Sequence, residues 1–125
     1  MNKQVLSPSG TVKAMIEGLV ERGEEVLAPH PGMDHLRRLW PSVRSAIPDF
    51  RAELQQQIVD GDRVASLWTF SGTHQGPLFG VPASGKSVHF QNVSIAHVRD
   101  GAVVQYNSET GWLDFLMQVG VLPLR

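Results

Sequence analysis

The chain has 125 residues, 42% hydrophobic and 18% charged, which suits one ordinary globular domain and leaves no room for two. A net charge of −1, with Arg37 and Arg38 an isolated basic pair, excludes the footprint of a nucleic-acid binder. The absence of cysteine excludes a disulfide framework, a thiolate nucleophile and a cysteine metal site, and it fits a reducing cytoplasm.

The start, Met1 to Gly10, has no charged segment followed by an apolar run and does not read as a signal peptide. No stretch approaches the roughly 20 apolar residues that a membrane span needs. A first helix is signalled by Ser9 or Thr11 as cap, by Val12, Met15, Ile16, Leu19 and Val20 at helical spacing, and by Gly23 as its stop. A short turn over Glu24–Leu27 precedes the breaker Pro29-His30-Pro31-Gly32. Asp34 then caps a second amphipathic helix carrying Leu36, Leu39, Trp40, Val43 and Ile47. Pro41 within it predicts a kink or two abutting helices.

From Phe50 the period changes to that of strands. Phe50–Val59 and Val64–Thr73 pair through the turn Asp60-Gly61-Asp62. Gln75–Gly85, rich in glycine and proline, is a loop. Val88–Val98 and Val103–Thr110 form a second hairpin around Asp100-Gly101. Trp112, Leu113, Phe115, Leu116 and Val119 close the chain as a short helix ended by Gly120. Two long hairpins in so short a chain must twist and curl, with the helices on the concave side. The expected fold class is therefore α+β: a cone with a strongly curved, mixed or antiparallel sheet covered by N-terminal helices, one domain over residues 1–125. Such a cone keeps an open mouth, where a ligand would sit, unless large side chains fill it.

Ile47-Pro48-Asp49-Phe50, Asp60-Gly61-Asp62-Arg63-Val64, Trp68-Thr69 and Gly72-Thr73-His74-Gln75-Gly76 resemble the SnoaL-like polyketide cyclases. So do Phe79-Gly80-Val81-Pro82-Ala83-Ser84-Gly85-Lys86, Arg99-Asp100-Gly101 and the ending Gln118-Val119-Gly120. That family lies within the nuclear-transport-factor-like superfamily of cone-shaped α+β barrels, and the match runs from about Pro48 to Gly120. The resemblance implies a homodimer built on the outer face of the sheet and a buried pocket between helices and sheet. It also implies chemistry without a metal or organic cofactor, in which side-chain acids and bases move a proton next to a carbonyl. Family cyclases commonly carry His-Trp-Asp on the last strand, whereas the matching run here is Tyr106-Asn107-Ser108. A second polar family position falls on Ser94. The resemblance thus carries the fold over, but not the aspartate.

Glu109 is the one carboxylate of the final strand, and a β-bulge would turn it inward. Buried among Trp68, Phe90 and Trp112, its pKa would rise and it would serve as a base; otherwise it is an exposed strand-end glutamate. Alternation puts Tyr106 with Ser108 on one face and Asn107 with Glu109 on the other, and without a bulge Ser94 opposes Asn107. Tyr106 would donate a hydrogen bond to a substrate carbonyl, or simply place its ring in the core. His74 is a third catalytic candidate, with fixing of its loop as the plainer role. His30, between two prolines, suits a pocket rim. His89 and His97 read as outer-face residues, with Val93 and Ile95, and His35 as helix surface. Trp68, Trp40 and Phe90, with Asn92, Ser94, Asn107 and Ser108, are the expected pocket lining. No His-x-x-x-His pair with a nearby acid exists, so no metal ligands are expected. Gly-x-Ser-x-Gly is absent, and the Gly76–Gly85 loop lacks the ending of a phosphate cradle.

Two functions follow from these residues. One is a cofactor-free enzyme on a small hydrophobic carbonyl or epoxide compound: a cyclase, isomerase, dehydratase or epoxide hydrolase. The other is a binding or carrier protein that kept the pocket and lost the acid. A dimeric adaptor would instead fill the pocket with its own side chains.

Overall fold

The computed structural model describes residues 6–122. The first five positions of the segment read as lacking a signal lie outside the described residues. Helix α1 spans Pro8–Arg22 and is capped by Ser7, whose Oγ accepts from the Gly10 N–H at 3.1 Å. The cap lies upstream of Ser9 because Pro8 has no N–H to leave unpaired and its fixed φ suits a first helical turn. Gly23, at φ 96°, ends the helix as expected. A 3₁₀ turn follows at Glu24–Leu27, and a second at Pro31–Met33, where only a break was expected.

Helix α2 spans Asp34–Ala46 as one element that passes through Pro41, rather than two abutting helices. Pro41 is exposed, so its missing N–H falls on the solvent side of the helix. Trp40, Val43 and Ala46 form the buried stripe.

Strands β1 (Arg51–Asp60), β2 (Arg63–Thr73), β3 (Ser87–Arg99) and β4 (Ala102–Thr110) form one sheet in the order β1-β2-β3-β4. Every pairing is antiparallel, which resolves the mixed-or-antiparallel expectation. The β3–β4 turn places Asp100 and Gly101 at φ 51° and 76°, both left-handed, as a two-residue hairpin of matching twist requires. Helix α3 (Trp112–Gln118) then packs on the end of β3. Its Gln118 side chain bonds the backbone of His89, donating to the carbonyl at 2.7 Å and accepting from the N–H at 2.9 Å.

Strand β3 shows the two faces cleanly. Val88, Phe90, Asn92, Ser94, Ala96 and Val98 are buried, and the residues between them are exposed or, at His97, half-buried. The buried set faces the helices across a core that includes Val12, Ile16, Leu19, Trp40, Val43 and Phe115. Two irregularities bend the sheet, one at Gln55 in β1 and one at Val104 in β4. The second shifts the hairpin by one residue, so Ser94 opposes Ser108 and not Asn107 as the unbulged count had it. The segment before α2 presses on the same strand. The His30 ring Nδ1 accepts from the Val103 N–H at 2.9 Å, and a Cβ on Gly32 would stand 2.7 Å from the Gln105 nitrogen. Only glycine fits there.

Candidate functional site

A cavity of about 400 Å³ lies between the two long helices and the concave face of the sheet, within the range of small-molecule sites. Ile16, Leu19 and Val20 of α1 and Leu36, Leu39, Trp40 and Val43 of α2 form the helix wall. Phe50, Phe70, Asn92, Tyr106, Thr110 and Trp112 form the sheet side. These positions are products of period: α2 turns Leu36, Leu39, Trp40 and Val43 one way, while β2, β3 and β4 turn Phe70, Asn92, Tyr106 and Thr110 the other.

Rings run along this boundary in sequence. Trp40 meets Phe50 edge-on at 5.0 Å, Phe50 meets Phe70 at 5.0 Å and Phe70 meets Phe90 at 5.9 Å. Phe90 continues to Trp112 at 5.2 Å, and Trp112 to Phe79 of the 75–86 loop at 4.9 Å. Edge-to-face and tilted pairs of this kind are the favoured aromatic arrangements and add to the burial of the wall.

The polar groups come from two rows that cross the sheet on its concave face. Ser66, Ser94 and Ser108 form one, and Trp68, Asn92 and Thr110 the next. The Asn92 amide donates to the Thr110 hydroxyl at 2.8 Å, but its Oδ1 has no partner among the described residues. Trp68 Nε1 and Ser94 Oγ are likewise buried and unpartnered. Tyr106 shares the inward face of β4 with Ser108. Burial pushes its phenol pKa up.

The structure brings Trp40, Asn92, Tyr106, Asn107, Ser108 and Glu109 to the cavity. Asn107 and Glu109 reach it only at the rim, along the free edge of β4. Their register partners are Ile95 and Val93, which places both on the outer face, and both are exposed. Glu109 is therefore not buried among Trp68, Phe90 and Trp112. The bulge that was to turn it inward turns Tyr106 and Ser108 inward instead, because it falls at Val104. Trp68, Phe90 and Ser94 face the concave side but lie behind the lining, fully packed.

Two histidines sit elsewhere. His30 is occupied with the Val103 N–H. His74 is buried against Phe115 at 5.2 Å, and its Nδ1 is 2.9 Å from Ser84 Oγ and accepts from the Ser84 N–H at 3.2 Å. It pins the 75–86 loop, the plainer of its two expected roles, and burial lowers the pKa of both rings. His89 is exposed on the outer face, and His97 bonds Asp62 there at 2.8 Å. His35, read as helix surface, is exposed and also edges the cavity.

Among the described residues no group of three or more histidines and acids is placed to hold a metal ion. No helix among them is long and apolar enough to cross a membrane. The lining residues not anticipated from sequence, such as Leu36, Leu39, Val43, Phe50, Phe70 and Thr110, were marked there only as core or strand positions. The helical period of α2 carried the signal for the first three. Thr110 needed the shifted register, which no local pattern announces.

A family model described as SnoaL-like polyketide cyclase matches residues 7–118. Among solved structures, AclR from Streptomyces galilaeus superposes with a TM-score of 0.86 at 22% identity, covering 98% of this chain and 86% of that one. TsrD from Streptomyces laurentii gives 0.79 at 25%, covering 94% and 99%. A SnoaL-like polyketide cyclase from Agrobacterium tumefaciens gives 0.75 at 17%, covering 92% and 99%. No curated protein matches the chain significantly.

Proposed function

Because the chain belongs to the SnoaL-like polyketide cyclase family, we propose that it holds a small hydrophobic organic molecule in the cavity between its helices and its sheet. The observation that carries this reading is an apolar lining into which β4 turns the Tyr106 side chain. A phenol whose pKa is raised stays protonated and donates a hydrogen bond to a carbonyl oxygen. The family's inward aspartate has Ser108 in its place, so binding and carriage are the function this site supports best, without metal or organic cofactor.

One observation favours a second reading, in which the protein is an enzyme of the cyclase, isomerase, dehydratase or epoxide-hydrolase kind. Glu109 reaches the cavity rim, where it would take a proton while Tyr106 polarises the carbonyl. Quenching of Trp40 and Trp112 fluorescence by neutral aromatic ketones tests the shared premise, and loss of quenching in a cavity-filling Val43→Trp variant localises it. Product analysis then separates the readings: a carrier binds and releases its guest unchanged. An enzyme turns it over, and Glu109→Gln or Tyr106→Phe abolishes turnover while the unfolding midpoint holds.

In the same reading the protein works in the cytoplasm as a homodimer. Ile58, Val93 and Ile95 are 62%, 50% and 55% exposed on the outer face of the sheet. Ile58 and Ile95 both pair with Ala65 of β2, giving the apolar strip that a self-complementary contact would cover.

A further inference from the structure

The cavity's lining is apolar along the helices, yet the floor beneath it gathers polar atoms that the protein leaves unpaired. Asn92 Oδ1, Ser94 Oγ and Trp68 Nε1 belong to neighbouring concave positions of β2 and β3, and each is buried without a hydrogen-bond partner among the described residues. Asn92 is 5% exposed and contributes to the lining, as does Tyr106 two rungs away on β4. A sheet floor made only to be a core would carry hydrocarbon here, since a buried unmatched acceptor is destabilising.

The chemistry of the patch is specific. Asn92 has already used its amide N–H₂ on Thr110, so what it offers is an acceptor. Tyr106 offers a hydroxyl that can donate. An alcohol or phenol matches both kinds of group, because it donates through its hydrogen and accepts through its lone pairs. A carbonyl or ether oxygen satisfies only Tyr106. A carboxylate would meet Asn92 Oδ1 with like polarity, and among the described residues no lysine or arginine lines the cavity to hold it.

We infer that Asn92 and Tyr106 form a hydroxyl-binding end of the cavity, selecting an uncharged ring or chain compound that enters hydroxyl-first. Ser94 and Trp68 stand behind them as the polar backing that keeps this end from closing as hydrocarbon. The inference rests on the cavity being a ligand site, and the test separates the two.

The probes are naphthalene, a naphthol, the methyl ether of that naphthol and the corresponding naphthoic acid, titrated against the full chain by fluorescence and calorimetry. The naphthol is expected to bind about tenfold tighter than its methyl ether, the loss of one donated hydrogen bond to a buried acceptor. The carboxylate binds weakest. In Asn92→Leu the preference for the naphthol over its ether is lost, the ratio of their affinities falling to about one. In Tyr106→Phe both oxygenated probes weaken relative to naphthalene. Equal affinity for naphthol and ether in the unaltered chain overturns the hydroxyl site but leaves the apolar cavity standing. An ether that binds tighter than the naphthol overturns it too, since Asn92 would then present its N–H₂. Failure of all four probes, naphthalene included, overturns the ligand-site reading itself. The comparison on the unaltered chain decides the matter even where a variant fails to fold.

Discussion

Each face of the sheet carries an exception to the usual order of a globular protein. Its concave side buries Ser66, Asn92 and Ser94 under the helices, while its convex side leaves Ile58, Val93 and Ile95 in the open. The same strand builds both, since β3 alternates Phe90, Asn92 and Ser94 inward with Gln91, Val93 and Ile95 outward. Polar atoms where a core is expected and apolar ones where solvent is expected carry the same lesson. In the proposed reading each face does something besides folding, holding a guest on one side and a partner surface on the other.

The sharpest way to break this comparison is to truncate one large side chain on each face of β3. Phe90 is 2% exposed and touches Phe70, Trp112 and Phe115, so Phe90→Ala should lower stability by about 3–5 kcal/mol. Ile95, half exposed, should lose no more than about 0.5 kcal/mol as Ile95→Ala when measured at high dilution. Chemical denaturation of both variants checks this. Comparable losses would mean that the convex face is part of the fold's own core. At higher concentration the convex face is examined by Ile95→Glu, which buries a charge in any self-contact. Sedimentation should show a dimer for the unaltered chain and a monomer for the variant, with the far-ultraviolet spectrum unchanged.

Acid should next distinguish the sides of the molecule, because its two buried histidines belong to the concave half. Burial lowers the pKa of His30 and His74 below the ordinary 6.5, and each Nδ1 accepts a backbone N–H, which a protonated ring cannot do. The unfolded chain therefore binds more protons than the folded one below that pH. Stability is complete above 6.5 and falls as the pH drops. Urea midpoints measured from about pH 7.5 down to about 5.5 should decline, and His30→Gln should flatten the decline without removing it. A midpoint that rises on acidification would contradict the assigned hydrogen bonds.

Much of this fold was legible in the sequence because its signals are local. The Asp100-Gly101 turn needs two left-handed residues and names itself, and the period of Val12, Met15, Ile16 and Leu19 sets the buried stripe of α1. The site was legible in part. Trp40, Asn92, Tyr106 and Ser108 reach the cavity, yet Glu109 does so only at an exposed edge. What decided this is the bulge at Val104, which adds one residue without a glycine to mark it and so exchanges the faces of everything after it. His30 and His74 were left with two readings each for a related reason. A histidine beside prolines or at a strand end looks like a site from sequence, but each is taken up by a backbone N–H, His30 by Val103 on a distant strand and His74 by Ser84 of the loop that follows it.

The smallest effect is the most pointed, since it opposes stability to function at one residue. Asn92 Oδ1 is buried with no partner among the described residues, and leaving an acceptor so is unfavourable by about 1–3 kcal/mol. Leucine has nearly the same shape without that acceptor, and the Thr110 hydroxyl it would abandon is only half-buried. Asn92→Leu should therefore raise the unfolding free energy by about 1 kcal/mol, read as a higher melting temperature in calorimetry. A folding role for Asn92 would make the same change destabilising, through loss of the 2.8 Å bond to Thr110. The sign of a single small number thus separates a residue that supports its sheet from one whose unmet hydrogen bond is held for a guest.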